Sequence, residues 1–333
     1  MKILIFEYIT GGGFNKQELP DSLKSEGILM LQALLDNFSV IAGIELVVML
    51  DWRMTGTINM KGINTVVISP EDTVSDEFIR SARQCDAVWP IAPEFDFILQ
   101  TLCQTVESLG KRVLASPATA VAIAGNKFKT YQHLSRNNIP AIPTRLLEDV
   151  FYSQGEWMIK PVDGAGCADS YLITGQEDFA AIARQLDQKD RFIIQPHIQG
   201  EKISLSCLFK QGQGWLLCAN LQKFNIINKQ YHLDGIVVNH HYGLSLYQDV
   251  IDKVAKALPD LWGYAGIDLI VTADQIGVLE INPRLTTSFA GIYAALGINV
   301  AELVLRLLEG EPVINPVCNR EIIIKIKQNN HAM

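Results

Sequence analysis

The sequence has no Cys-x-x-Cys pair: its six cysteines stand apart, mostly in apolar segments. This spacing argues against a zinc site or a disulfide framework and favours reduced thiols. The sequence also has no run of about 18 uncharged apolar residues, the length that a membrane-spanning helix requires. Basic residues are in the minority, with 28 Lys and Arg against 36 Asp and Glu, and they form no basic stripe. This charge pattern disfavours nucleic acid as a partner.

The composition is that of an ordinary globular enzyme. The chain has 333 residues, of which 48% are hydrophobic and 19% charged, so it can bury a large interior spread over two or three lobes. Its apolar opening contains Glu7 and lacks a cleavage signal, so we interpret it as a buried strand rather than a secretory signal. We expect a cytoplasmic protein whose partners are small molecules, not nucleic acid or a membrane, with a homodimer left open.

The first third of the chain alternates short apolar strands with amphipathic helices, which predicts a parallel α/β lobe. One of these helices is predicted at residues 95–109. Ligands of such lobes lie at the carboxyl ends of the strands, where Thr10-Gly11-Gly12-Gly13 and Ala92-Pro93-Glu94 fall. We therefore expect the glycines to allow close approach of a ligand.

Three lobes are predicted, at residues 1–116, 117–198 and 199–333. The predicted fold class is α/β with α+β lobes. A helical stretch broken at Gly125 opens the second lobe, and an extended connector containing Pro140 and Pro143 follows it. The third lobe is expected to contain an antiparallel meander, in which a strand at residues 236–239 follows a hairpin.

Oxygen-bearing side chains stand on two apolar strands near the C-terminus. Asp268 lies on the first, and Glu280 and Asn282 share one face of the second. Alternation predicts that Leu279 and Ile281 face the other way. Carboxylate and amide oxygens suit magnesium, so the three residues are candidate metal ligands. The alternative is a strand end with solvated polar residues.

Two lysines are candidates for binding phosphate. Lys160 stands in an apolar strand, where an unpaired charge is costly to bury, and a loop containing Gly164 and Gly166 follows it. Lys127 begins a helical run just after a glycine break. The alternatives are a hairpin turn with an exposed lysine and an ordinary solvated helical lysine.

An apolar strand at residues 192–198 contains Pro196, which cannot donate to a ladder, so we expect an edge or connector with free backbone groups. Such groups can pair with adenine, and we expect Ile198 and Ile159 to sandwich the ring. Either Glu201 or Lys202 can then contact the ribose, and the spacing leaves both open.

Taken in order, these motifs resemble the ATP-grasp superfamily over residues 117–288. The resemblance implies an ATP-grasp fold behind an N-terminal parallel α/β pre-ATP-grasp domain. It also implies ATP as cofactor, with Mg²⁺ or Mn²⁺. The implied nucleotide-binding residues are Lys127, Lys160, Gly164, Gly166, Gln195, Pro196, His197, Ile198, Glu201 and Lys202, and the implied metal ligands are Asp268, Glu280 and Asn282.

A closer likeness covers nearly the whole chain and resembles the tyramine–L-glutamate ligase family of methanofuran biosynthesis. It implies ADP-forming amide synthesis between the γ-carboxyl of L-glutamate and an aromatic amine. The motifs that carry it are Phe6-Glu7-Tyr8, Glu26-Gly27 with Met30, Ile91 to Glu94, Ala124 to Lys127, Asn220-x-Gln222 and Glu280 to Thr287. The departures from the family pattern are Asn126, Cys167 and Pro196, and they fit a branch whose acceptor is tyrosine rather than tyramine.

The expected mechanism activates a carboxylate as an acylphosphate, with Lys160 offsetting charge during phosphoryl transfer. Arg284 is expected to hold phosphate or an oxyanion, although pairing with an internal carboxylate is an alternative. Glu94 and Glu7 are candidates for binding the substrate ammonium, or else ordinary acids at strand ends. Rival functions are a bicarbonate-activating enzyme of the biotin-carboxylase type and a non-catalytic ATP-binding module.

Overall fold

The computed structural model describes residues 1–164, 166, 169–240 and 244–326. Over these ranges, the N-terminal part contains a parallel sheet of five strands in the order β3-β2-β1-β4-β5. The strands are Lys2–Glu7 (β1), Glu45–Asp51 (β2), Asn64–Ile68 (β3), Ala87–Ile91 (β4) and Arg112–Val113 (β5). Its helices are Asp21–Phe38 (α1), Val74–Arg83 (α2) and Ile98–Ser108 (α3), with a 3-10 turn at Trp52–Met54. The predicted parallel lobe is confirmed.

The glycines after β1 serve internal packing rather than a ligand. A Cβ on Gly11 would lie 2.5 Å from the carbonyl oxygen of Glu7, and one on Gly13 would lie 2.3 Å from the ring of Tyr8. Gly12 has a φ of +102° and faces Ile68. The expectation that these glycines approach a ligand is therefore wrong.

The helix predicted at residues 95–109 is shorter in the structure. Phe95–Phe97 form a 3-10 turn, and α3 begins only at Ile98. Asp96 and Phe97 have φ values of 52° and 58°, a left-handed conformation that no continuous α-helix tolerates. This kink turns the chain directly after Glu94.

The second sheet has ten strands among the described residues, nine of them in the order β14-β13-β10-β11-β12-β8-β7-β9-β6, with β15 pairing to β12. The strands are Arg145–Leu146 (β6), Trp157–Pro161 (β7), Tyr171–Ile173 (β8), Phe192–Pro196 (β9), Glu201–Lys210 (β10), Gln213–Ile227 (β11), Gln230–Val238 (β12), Gly263–Val271 (β13), Ile276–Asn282 (β14) and Ile322–Lys325 (β15). The accompanying helices are Ala118–Ala124 (α4), Lys127–Arg136 (α5), Gln176–Gln185 (α6), Leu244–Ala257 (α7), Phe289–Leu296 (α8) and Val300–Arg306 (α9), with 3-10 turns at Leu147–Asp149 and Lys189–Arg191.

Two halves of this sheet meet at β8 and β12, where the register pairs Gln230 with Tyr171. The strands β6, β9, β7 and β8 form one half, and β10 to β14, with β15, form the other. β12 is longer than the strand predicted at residues 236–239, because Asn228 and Lys229 close a tight hairpin with φ values of 51° and 64°. The hairpin thus reaches from one half of the sheet to the other.

The proline-containing connector runs along the edge of β14. Ile142 donates its N–H to the carbonyl of Val278 at 2.9 Å, and the N–H of Val278 donates to Pro140 at 3.0 Å. Before the connector, Gly125 separates α4 from α5, as the sequence predicts, and the side chain of Asn126 accepts a hydrogen bond from the N–H of Lys129 and caps α5. The cap sets the start of the helix at Lys127.

One hydrophobic core joins the N-terminal lobe to the C-terminal helices. It contains Leu31 and Trp89 from the first lobe together with Phe289, Ile292 and Val304.

Within the described ranges no single helix has the length and hydropathy to cross a membrane, and α8 with α9 meets that test only as a pair bent by 100°. Of the cysteines, Cys85, Cys103, Cys207 and Cys218 are buried free thiols, while Cys167 lies outside the described residues.

Candidate active site

A cleft lies between the two halves of the ten-stranded sheet and reaches the first lobe. Its empty volume is about 1240 Å³, including its opening to solvent. Most of the residues predicted to bind nucleotide or metal line it. They are Lys127, Lys160, Gly164, Gly166, Gln195, Pro196, His197, Ile198, Lys202, Asp268, Glu280, Asn282 and Arg284.

Lys127 and Lys160 converge on Glu280 although they come from different elements. The Nζ atoms of Lys127 and Lys160 lie 3.4 and 3.8 Å from Oε2 of Glu280. Burial raises the pKa of Glu280, but the two ammonium charges outweigh that effect, so its pKa lies below the ordinary range. The cleft therefore concentrates two cations beside one ionised carboxylate.

The glycine-containing loop contacts this cluster through its backbone. Nζ of Lys127 donates to the carbonyl of Gly164 at 2.7 Å, and the N–H of Lys127 donates to Val162 at 2.8 Å. Gly166 has a φ of +66°, with open space where a Cβ would stand. Val162 and Gly164 are therefore held against the start of α5.

Asp268 stands beside Glu280 on the neighbouring strand, in register with it. Its Oδ2 accepts a hydrogen bond from the amide nitrogen of Asn282 at 3.2 Å. Its Oδ1 is the one buried side-chain polar atom in the described part of the chain that lacks a hydrogen-bond partner. Burial and then the charge of Glu280 raise the pKa of Asp268. Such an orphaned oxygen fits a cation ligand.

The donor set is that of a hard divalent cation. The described residues contain no cluster of three His, Cys, Asp or Glu side chains placed to hold a metal, so a metal site here would need Asn282 as its third ligand. Because the amide nitrogen of Asn282 donates to Asp268, its amide oxygen remains as an acceptor. Two carboxylates and one amide oxygen suit Mg²⁺ or Mn²⁺.

Leu279 departs from the predicted alternation. The register pairs Asp268 with Glu280 but Leu269 with Val278, so Leu279 is the extra residue of a β-bulge. Leu279 consequently lines the cleft beside Glu280 and Asn282, whereas Ile281 is buried as predicted. The expectation that Leu279 faces away from the cleft is wrong, and the bulge places an apolar surface next to the candidate metal ligands.

The hinge segment at residues 195–198 is fixed by side chains from both halves of the sheet. Gln195 donates to Thr144 at 2.7 Å, and the ring nitrogens of His197 lie 2.7 Å from Glu156 and 2.6 Å from the hydroxyl of Tyr231. Pro196 stands opposite Trp157, beyond the two residues of β9 that β6 covers. Among the described residues, β6 pairs with β9 only at Ile193 and Ile194, so β9 is an inner strand rather than the predicted edge, and the free side is limited to its end at Pro196.

The apolar walls near the hinge differ from the predicted pair. Ile159 is fully buried in the core of the second lobe, and Met158, its neighbour in β7, lines the cleft with Ile198. The predicted role of Ile159 against a ring is therefore wrong. Of the two ribose candidates, Lys202 lines the cleft and donates to the carbonyl of Ile198 at 3.1 Å, whereas Glu201 is exposed outside the lining.

Arg284 forms a buried bidentate pair with Glu94. Its Nε and Nη2 each donate to one carboxylate oxygen at 2.9 Å, and Nη1 donates to the carbonyl of Leu285 at 3.1 Å. Pairing with an internal carboxylate was the alternative for Arg284, and the structure shows it. The pair joins the kink after β4 to the segment after β14.

A smaller cavity adjoins the cleft in the first lobe, with an empty volume of about 400 Å³. Glu7 lies in its wall, but its carboxylate accepts hydrogen bonds from Thr10 N, Thr10 Oγ1 and Ile9 N at 2.7, 2.6 and 3.3 Å. Burial raises the pKa of Glu7.

Sequence reasoning missed Glu26, which lines both cavities and accepts a hydrogen bond from Thr287. The Glu26-Gly27 motif could have pointed to Glu26. Gly27 lies against Glu7, because a Cβ on Gly27 would lie 2.6 Å from the Glu7 carboxylate, and this places Glu26 beside the same cavity.

A buried polar network that the sequence did not reveal supports the segment after the metal strands. The hydroxyl of Tyr264 lies 2.8 Å from Ser206 Oγ and 3.0 Å from Thr286 Oγ1, which lies 2.8 Å from Ser288. Asn220 donates to Ser206 at 3.1 Å. Asn220 and Thr286 belong to the motifs quoted above, and only the structure shows that they share a network.

The two sheets and the cleft between the halves of the second sheet form an ATP-grasp fold. Residues 124–288 match the ATP-grasp domain, and residues 44–121 match the pre ATP-grasp 3 domain. The chain belongs to the ATP-grasp superfamily, with a pre-ATP-grasp domain ahead of the ATP-grasp domain. The sequence-based recognition of the superfamily and the predicted fold are confirmed.

Among curated proteins, the chain is similar to the tyramine–L-glutamate ligase of Methanocaldococcus jannaschii, with 27% identity over 312 residues, 93% of this chain and 90% of the relative. The predicted enzyme class agrees with that name. A crystal structure of an ATP-grasp superfamily protein from Archaeoglobus fulgidus is 25% identical, with a TM-score of 0.72 over 98% of this chain and 92% of that one. The biotin carboxylase domain of Hydrogenobacter thermophilus 2-oxoglutarate carboxylase, in complex with MgADP and bicarbonate, shares the fold at 12% identity, with a TM-score of 0.67 over 94% of this chain and 70% of that one.

Proposed function

We propose that the protein is an ADP-forming carboxylate–amine ligase that joins the γ-carboxyl of L-glutamate to tyramine or tyrosine. The observation that carries the proposal is the cluster of Lys127, Lys160 and Glu280 beside the unpartnered oxygen of Asp268. This cluster offers cations to phosphate and oxygens to a divalent ion in one cleft. The name of the Methanocaldococcus relative supports the substrate pair.

ATP is proposed to bind with its base at the hinge and its phosphates at the lysines. Backbone groups of residues 195–198 pair with adenine, while Met158, Ile198 and Leu279 supply apolar contact. Lys202 is the better placed of the two ribose candidates, because it lines the cleft. Asp268, Glu280 and Asn282 would hold Mg²⁺ or Mn²⁺, which supplies positive charge to the transferring phosphoryl group when bound.

In the proposed reaction the γ-carboxylate of glutamate attacks the γ-phosphorus of ATP, giving ADP and an acylphosphate. Lys127 and Lys160 offset the negative charge that accumulates on the phosphate oxygens. The amine then attacks the acyl carbon and phosphate leaves. Because Glu94 already occupies one edge of the Arg284 guanidinium, we assign Arg284 the role of orienting the segment beside the reacting groups.

Oxygen transfer tests this function. Glutamate labelled with ¹⁸O in its carboxyl groups is incubated with ATP, magnesium and tyramine or tyrosine, and the released phosphate is analysed by mass spectrometry. The proposal predicts one labelled oxygen per phosphate, because the bridging oxygen of the acylphosphate originates in glutamate. Unlabelled phosphate with normal amide formation contradicts the acylphosphate step.

Measurements of ADP release and nucleotide binding separate the two rival functions. ADP release that requires bicarbonate instead of an amine would indicate a biotin-carboxylase type of reaction. Nucleotide binding without ADP release would indicate a non-catalytic module. Location in the cytoplasm and assembly into a homodimer stay predictions, the second to be measured by light scattering.

A further inference from the structure

The smaller cavity has the character of a site for an organic side chain. Its walls are largely apolar, and the apolar residues are Ile9, Leu23, Met30, Ile91, Ala92 and Pro93. Three residues, Glu26, Gly166 and Arg284, line both this cavity and the nucleotide cleft. They mark the junction through which a group held in the smaller cavity meets a group held in the cleft.

Glu26 has fewer hydrogen-bond partners among the described residues than Glu7, in the wall of the smaller cavity, and Glu94, the partner of Arg284. Each carboxylate oxygen of Glu94 accepts a hydrogen bond from Arg284, and Glu7 accepts three hydrogen bonds from its own turn. Glu26 accepts a hydrogen bond from the Thr287 hydroxyl. Burial raises the pKa of Glu26, which makes it a stronger base than an exposed glutamate.

We propose that the smaller cavity binds the body of the acceptor, a primary amine with an apolar or aromatic side chain, and that Glu26 accepts a proton from its ammonium group. This inference rests on the proposed ligase function. It assigns a catalytic base and an acceptor subsite at the junction with the nucleotide cleft.

The proton balance explains why a base is needed. An alkyl amine is an ammonium ion at neutral pH and has no free electron pair. Transfer of one proton to the Glu26 carboxylate frees the pair, which forms the C–N bond while the C–O bond to phosphate breaks. The second proton leaves the nitrogen with the departing phosphate, so the products are the amide, HPO₄²⁻ and protonated Glu26, which then releases its proton to solvent.

The test compares two acceptors in the variant Glu26→Gln, which keeps an oxygen for the Thr287 hydroxyl. Tyramine or tyrosine must lose a proton before attack, whereas hydroxylamine is largely unprotonated at neutral pH. We expect the kcat with the amine to fall about 100-fold or more, the usual effect of losing a general base. Hydroxamate formation from hydroxylamine is expected to match the wild type. Glu18→Gln, at an exposed carboxylate just before α1, is the control and should behave as wild type in both assays.

The outcomes separate this inference from the proposed function. Loss of amine-dependent turnover with retained hydroxamate formation supports Glu26 as the base. Equal loss with both acceptors overturns it, because Glu26 would then serve folding or nucleotide binding, and unchanged turnover with both overturns it as well. If the wild type releases no ADP with glutamate and either acceptor, the ligase function itself is wrong.

Discussion

The buried pair of Arg284 and Glu94 allows a quantitative prediction about stability. The side chains are 12% and 5% exposed, and two hydrogen bonds of 2.9 Å join them across the first and last lobes. Glu94→Gln removes one charge and leaves the buried guanidinium without its hydrogen-bonded carboxylate partner, with only the more distant charges of Glu26 and Glu280 opposite it. Breaking such a pair from one side costs about 3–5 kcal/mol, because the remaining charge keeps its desolvation penalty.

Differential scanning calorimetry measures this effect. A shift of about 2–4 °C for each kcal/mol predicts that Glu94→Gln lowers Tm by roughly 6–20 °C. The control is Asp249→Asn, because Asp249 pairs with Lys253 on the surface of α7 with side chains 66% and 50% exposed. Such pairs contribute at most about 1 kcal/mol. A Glu94→Gln variant that unfolds within the range of this control would refute the argument that the pair is structural.

Three further predictions follow from the site. Asp268→Asn should raise the Mg²⁺ concentration needed for half-maximal ADP release by about 10-fold or more, since a charged ligand is lost; an unchanged metal requirement would exclude Asp268 as a ligand. Contrary to the tyrosine acceptor that the departures from the family pattern suggest, tyramine should exceed tyrosine in kcat/KM by at least about 10-fold, because the carboxylate of tyrosine would meet Glu7 and Glu26 while Arg284 is already paired; equal values in a coupled ADP assay would contradict this. Asn126→Ala should cost about 1 kcal/mol by removing the cap of α5, whereas Asn126→Asp should keep the Tm, and equal Tm values for both variants would count against the cap.

Sequence patterns predicted those parts of the fold that depend on local periodicity. The parallel first lobe, the break at Gly125 and the apolar strands carrying Asp268 and Glu280 all follow from the spacing of apolar residues and helix breakers. The bulge at Leu279 did not follow, because one extra residue in a strand changes which side chains share a face without changing the composition. The hairpin at Asn228 and Lys229 was missed because two residues with positive φ carry no glycine signal there.

Long-range pairings in the candidate site lay beyond what the sequence shows. Glu94 and Arg284 are 190 residues apart, and each was a candidate for a different partner. Glu26 and Thr287 are 261 residues apart, so their contact depends on how α1 packs against the last lobe. Spacing predicts which residue types a strand or loop presents, whereas such contacts depend on the packing of whole lobes.

The central claim is that a nucleoside triphosphate and a divalent ion bind together in the cleft. Isothermal titration calorimetry with a non-hydrolysable ATP analogue tests it, with and without Mg²⁺, in the wild type, Lys160→Ala and the surface control Lys253→Ala. The account predicts Mg²⁺-dependent binding that weakens about 10-fold or more in Lys160→Ala alone, because a charge-assisted contact to phosphate is lost. An affinity for the analogue that changes neither with Mg²⁺ nor in Lys160→Ala would contradict the claim, as would no binding by the wild type.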